Sequence, residues 1–80
     1  SWLLDGALPV HQVRSLLKLG PLPGEKAGDF ETLGGFLMAS LGRIPEVGDT
    51  FDWDNRSFGA VDMDGRRIDR VLVSGEVERA

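Results

Sequence analysis

The spacing of apolar residues changes character near Pro45: before it they recur every three to four positions, and after it they alternate with polar ones. In the first half, Val10, Val13, Leu16 and Leu17 fall on one face of a helix predicted from Pro9 to Leu19. Pro9 is tolerated in its first turn and Gly20 is able to stop it. A second helix follows Thr32, a good N-cap, and aligns Leu33, Phe36, Leu37 and Leu41 before Gly42 supplies a left-handed stop. Gly34 and Gly35 disfavour this helix by about 1 kcal/mol each relative to Ala. Their presence points to another backbone packed closely against that turn.

Strands flank the helices. Trp2 to Leu4 reads as a short strand closed by the turn signal Asp5-Gly6. Beyond Pro45, Phe51 and Trp53 alternate on one face, Asp54-Asn55 offers a turn, and Phe58 and Ala60 share a side of the next strand. Asp64-Gly65 is the strongest hairpin signal in the chain. In the last strand Val71 and Val73 share a face while Ile68 is out of phase, which a bulge near Asp69 or Arg70 would restore. Residues 20 to 29, GPLPGEKAGD, follow neither period and read as a connecting loop. The resulting order, β-α-α-β-β-β, defines an α+β fold: a small antiparallel sheet with two helices packed on one face and the first strand joining an edge.

The polar stretch from residue 40 to 53, SLGRIPEVGDTFDW, reads as a joint between the halves rather than a catalytic loop. Gly42 ends the helix, Pro45 forbids its continuation, and Gly48-Asp49 turns the chain into the sheet. Ile44 is expected to anchor this joint in the core, and Arg43 and Asp49 either to pair across it or to meet a partner.

Composition narrows the function classes. The 80 residues suffice for one domain, residues 1 to 80, with a stability of about 4 to 12 kcal/mol on a per-residue scale. Cysteine is absent, which removes disulfides and thiolate metal sites. A formal charge of −4 disfavours nucleic acid or an anionic bilayer as the main partner. Apolar runs such as FLMASL are too short to span a membrane, so direct membrane insertion is not expected and this piece reads as soluble. A chain that starts at Ser1 instead of Met is expected to be an excised fragment or a processed product.

Candidate chemistry is sparse. His11 is the sole histidine, and no Ser occupies a G-x-S-x-G turn, so nucleophilic catalysis finds no support and no catalytic residue is assigned. Residues 60 to 71 imitate a calcium loop through Asp62, Asp64 and Gly65, yet Ala60 and Val71 stand where both terminal carboxylates are needed. No metal site is therefore assigned. GPLPGEK lacks the phosphate-loop spacing and the following Ser or Thr. For a nucleotide or flavin, the most defensible contacts are Gly34 and Gly35 at a helix start, together with Arg43. Trp2 and Trp53 as a stacking platform, and Arg66, Arg67 and Arg70 as an acidic-partner reader, are weighed against core packing and a solvated strand face.

Taken in order, DG at Asp5-Gly6, TLGGFLMASLGRIPEVGD at residues 32 to 49, SFGAV, and DGRRIDRVLV from Asp64 onward resemble the CorC/HlyC, or transporter-associated, domain. The pattern runs from Leu4 to Val73 and includes Thr32, Gly34, Gly35, Gly42, Pro45, Gly48, Asp49, Gly65, Arg67 and Ile68; Ala60 departs from it, where a larger β-branched residue is usual. The resemblance implies a noncatalytic accessory domain found C-terminal to a pair of CBS domains, often behind a transmembrane domain, in magnesium and cobalt efflux proteins and hemolysin-like proteins. It implies as partners those other domains of the parent protein, and a place on the cytoplasmic side of the membrane; a homodimer through a sheet edge is a separate reading, from the exposed edge that a short antiparallel sheet leaves. The family fold is similar to part of an FAD-binding-type domain. FAD follows from that analogy alone, and no cofactor is expected.

Overall fold

A computed structural model describes residues 1–75. The first strand, β1 (Trp2–Asp5), leads through a turn into α1 (Val10–Leu17), and a loop then reaches α2 (Leu33–Leu41). Three strands follow: β2 (Thr50–Trp53), β3 (Arg56–Asp64) and β4 (Arg67–Ser74). All pairings are antiparallel and the sheet order is β1-β4-β3-β2, so the N-terminal strand completes one edge beside the C-terminal one. The α+β architecture is the one the alternation of periods predicts.

Each turn has a local cause. Asp54 and Asn55 both adopt positive φ, 53° and 58°, the conformation a two-residue turn between right-twisted strands requires. The β3–β4 hairpin turns on Gly65 and Arg66, with Asp64 facing Arg67 as the last strand pair. Between Ala60 and Met63 the register slips twice: Val61 is extra on β3 and Asp69 is extra on β4. The Asp69 irregularity brings Ile68 onto the core face with Val71 and Val73, all three buried. Its compensating partner at Val61 leaves Met63 opposite Ile68 and packed on the core. Ala60 is fully buried opposite Val71.

The core lies between the sheet and the two helices. Phe36 stands at its centre, meeting Phe30, Phe51, Trp53 and Phe58 edge to face with ring centroids 5.2 to 6.3 Å apart. Such contacts add about 0.5 to 1.5 kcal/mol per pair to the burial itself. Two expectations, for Leu16 and for Gly20, fail here. Leu16 is largely exposed, because α1 ends at Leu17 and turns its other apolar residues inward. Lys18, not Gly20, stops that helix in the left-handed region at φ 57°. Trp2 and Trp53 lie on opposite edge strands and form no common platform.

The early stop at Lys18 has a structural purpose. It redirects the chain so that Leu19, Leu22 and Phe30 are all buried, making the stretch from 19 to 30 a wall of the core as well as a connection. Glu25 holds that segment: it accepts from Leu22 N–H at 2.9 Å and pairs with Arg14 of α1 at 2.9 Å. The Leu22 amide, and then Arg14, hold its carboxyl below the usual range. A left-handed lysine carries a steric cost of about 1 kcal/mol that glycine avoids. Lys18→Gly is expected to stabilise the fold by up to about that amount and to raise the thermal midpoint by a few degrees; a lower midpoint in a circular-dichroism melt would show that the lysine side chain earns its place.

Candidate functional site

The residues singled out by their spacing meet at two places, one at each end of α2. At its N-terminus, Thr32 caps the helix, its Oγ1 accepting from Gly35 N–H at 3.1 Å. Gly34 N–H donates to the carbonyl of Gly6 at 2.8 Å, and Leu33 N–H to that of Leu8 at 2.9 Å. In return Val10 N–H donates to Glu31 at 3.0 Å, and Pro9 and Thr32 form an isolated antiparallel bridge. The two helices thus begin side by side and satisfy each other's free amides.

Glycine is required where three segments cross. A Cβ on Gly6 would collide with the carbonyl of Ile68, while one on Gly34 would lie 3.1 Å from the Gly6 carbonyl. Gly6 N–H also donates to Asp69 at 2.7 Å, which extends the β1–β4 pairing by one rung at the bulge. The Asp-Gly, T-x-G-G and R-R-I segments are far apart in sequence and adjacent here. Asp5 adds a local brace, its Oδ1 accepting from Ala7 N–H at 2.8 Å.

This junction matters for the nucleotide or flavin reading. Phosphate recognition at a helix start needs free N–H donors. Those of Leu33, Gly34 and Gly35 are all donated to protein oxygens, so Gly34 and Gly35 present none. Arg43 lies just past the other end of α2, about 12 Å from Gly35 by helical rise. It is held by Asp49.

The second place is the joint. Gly42 caps α2 at φ 73°, and Gly48 turns at φ 100°. Asp49 accepts from Arg43 at 2.6 Å and from Glu46 N–H at 2.8 Å, so one carboxylate closes the loop from both sides. These bonds, that to Arg43 first, hold the Asp49 carboxyl below its usual range and raise the Arg43 guanidinium. Gly48 N–H and Ala60 N–H then bind the loop to β3 at 2.8 and 2.9 Å. Ile44 was expected to anchor this joint but is 48 % exposed; the buried residue is Pro45. A loop pinned at both ends turns one of two adjacent apolar residues inward, and the fixed proline ring fills that position.

Other charged groups are distributed along the hairpin. Arg67 pairs with Asp64 at 3.2 Å and Asp69 at 3.4 Å, both exposed contacts worth little. His11 is exposed on α1. Among the described residues no three His, Asp or Glu side chains gather to hold a metal ion. Nor does any helix among them reach the length and apolarity needed to cross a membrane. Arg56, which local spacing does not reveal, reaches across the fold to donate to the Leu17 carbonyl at the end of α1.

Compared with known proteins, residues 1–76 match the profile of the family CorC_HlyC, described as a transporter associated domain. A UPF0053 protein of Synechocystis is 47 % identical over 74 residues, which cover 92 % of this chain and 16 % of that protein. The polyamine export protein of Escherichia coli K12 is 39 % identical over 74 residues, again 92 % of this chain and 16 % of the relative. Among solved structures, the CorC_HlyC domain of a Xylella fastidiosa hemolysin, in complex with Mg²⁺ and Mn²⁺, shares 38 % identity with a TM-score of 0.77, covering 90 % of this chain and 82 % of that one. The chain spans about one sixth of the length of the curated relatives it matches.

Proposed function

The chain belongs to the CorC_HlyC transporter associated domain family, and on that premise we propose that it is a noncatalytic accessory domain modulating small-cation transport by the protein that carries it. The observation that supports this most is the match along residues 1–76, in a chain that corresponds to a minor part of each export-type relative. Magnesium, cobalt and polyamines share positive charge, so a small cation is the cargo class in this reading. The domain lies on the cytoplasmic side of the membrane and acts through contacts with the other domains of its protein, a CBS pair and a transmembrane domain, or with a second copy.

Its physical role is to add a coupling free energy between those domains. Coupling of about 1 to 3 kcal/mol changes a linked equilibrium 5- to 150-fold. The packed core and doubly pinned joint support such a role, because a rigid body transmits a displacement that a loose one absorbs. Flavin and adenine nucleotide are left out of the reading. The α2 amides that a phosphate would need are already bonded, and Arg43 is engaged by Asp49.

Removing residues 1–76 from the full-length protein, at matched membrane abundance, tests the proposal. Tolerance of cells to external magnesium, cobalt or polyamine is expected to change for the transported cation. Unchanged tolerance to all three would contradict it.

A further inference from the structure

The connection between the helices is fastened at both ends and lightly held between them. At its start Leu19 N–H donates to the carbonyl of Arg14 at 2.9 Å, and just past its end the Glu31 carbonyl accepts from Val10 N–H at 3.0 Å. Between those points the backbone turns on itself. Glu25 N–H donates to Leu22, Gly28 N–H to Glu25 and Asp29 N–H to Gly24, at 3.0, 3.1 and 3.3 Å, and all three bonds lie inside residues 20 to 29. Gly24 and Gly28 supply the left-handed conformations, φ 87° and 75°, that so tightly folded a segment needs.

Little ties this segment to the rest of the domain. Leu22 is its one buried side chain, and Glu25, half-buried, is the side chain that bonds beyond it, to Arg14. A slot of about 320 Å³ separates it from the end of α2 and from β2, with Pro23, Gly24 and Asp29 on one wall and Ala39, Ser40 and Phe51 on the other. The sheet, by contrast, is laddered from edge to edge, and the start of α2 is bonded to Gly6 and Leu8.

Arg14 shows that the tie is balanced rather than strong. Its Nη1 donates to Glu25 at 2.9 Å, whereas its Nε–H is buried and meets no acceptor among the described residues. A buried donor without a partner favours any rearrangement that returns it to water. Glu25 opposes that release, one carboxylate oxygen holding the guanidinium and the other the Leu22 amide. We propose that residues 20 to 29 form a strap that opens as one unit while the sheet and both helices stay folded, with the Arg14–Glu25 pair as its latch. Opening lifts Leu22 out of the core and frees the guanidinium, so the latch sets how often this side of the domain is uncovered. The device belongs to the domain itself and stands apart from the accessory role.

Native-state hydrogen exchange of the 80-residue chain tests it. The amides of Leu22, Glu25, Gly28 and Asp29 are expected to share one protection factor, at least about tenfold below those of Phe58 and Val71 in the two central strands. Two variants separate a strap from a loop that unfolds only with the whole. Glu25→Gln keeps the shape and removes the charge, and should quicken exchange of the strap amides at least about fivefold. Ile68→Val takes one methyl group from the core beside Gly6 and Gly34, and should quicken Phe58 and Val71 while leaving the strap amides unchanged. Strap amides as protected as Phe58 and Val71, or quickened equally with them by Ile68→Val, would overturn the strap. Exchange of the strap amides unaltered by Glu25→Gln would overturn the latch.

Discussion

Gly6→Ala is expected to remove about 3 kcal/mol or more of stability and to lower the thermal midpoint by more than about 10 °C. The side chain added is a single methyl, and the residue is buried where β1 ends. That methyl would occupy the position of the Ile68 carbonyl, which is backbone inside a paired strand and cannot rotate away. Moving Gly6 instead would stretch two bonds together, its N–H to Asp69 and its carbonyl from Gly34 N–H. The second of these satisfies the start of α2, so strain would pass from the sheet edge into the helix. With a total of about 4 to 12 kcal/mol available at this length, the variant should be partly unfolded at room temperature if the domain lies at the low end. A circular-dichroism melt decides it. A midpoint within about 2 °C of the parent would mean that the crossing of β1, α2 and β4 is looser than its geometry indicates.

Phe36→Ala should be comparably severe for a different reason. Phe36 is fully buried and is the common partner of Phe30, Phe51, Trp53 and Phe58. These neighbours come from the loop before α2 and from strands β2 and β3, so one ring ties both layers together. Truncation of a buried Phe costs about 3 to 5 kcal/mol, more when the surroundings cannot collapse into the gap. Collapse is hindered here, since three of the facing rings, Phe51, Trp53 and Phe58, are themselves held by strand pairing. Phe36→Leu preserves most of the volume and should retain a cooperative transition. Chemical denaturation of the two variants reads the difference. A loss below about 1 kcal/mol for the alanine variant would contradict the central place given to this ring.

The features legible in the sequence are those with a local cause. Thr32 and Gly42 bracket α2 because a cap and a left-handed stop are chosen by the few residues around them. Ile68 announces a bulge because its phase disagrees with Val71 and Val73, and Met63 bears the matching mark on its own strand, out of phase with Phe58 and Ala60. Where two apolar residues compete for one inward position, spacing does not choose between them. Leu16 and Leu17 compete in this way, as do Ile44 and Pro45, and in each case the second is buried. The connection between the helices conceals its core residues because Leu22, within residues 20 to 29, and Phe30, just after them, are buried singly, with no period to display. Ion pairing between Arg14 and Glu25 is similarly silent, being made by the tertiary path of that segment.

The candidate site was legible in parts and not as a surface. Gly6, Gly34 and Ile68 belong to three segments whose motifs stand out individually, and the fold brings them to one crossing. Close packing at that crossing accounts for the glycines, and the Thr32 hydroxyl accounts for the third α2 amide. What packing leaves unexplained is Arg66 and the apolar outer side of α2. Those are surface properties, and they become visible only when the hairpin is folded against the helix.

The central claim is that this domain changes transport by contact, with no chemistry of its own. The most direct measurement is cation flux into vesicles reconstituted with the full-length protein, compared with the same protein lacking residues 1–76 at equal protein density. The account predicts an altered flux for the transported cation with its identity unchanged. Equal flux in the two preparations, across the range of cation concentrations, would contradict it.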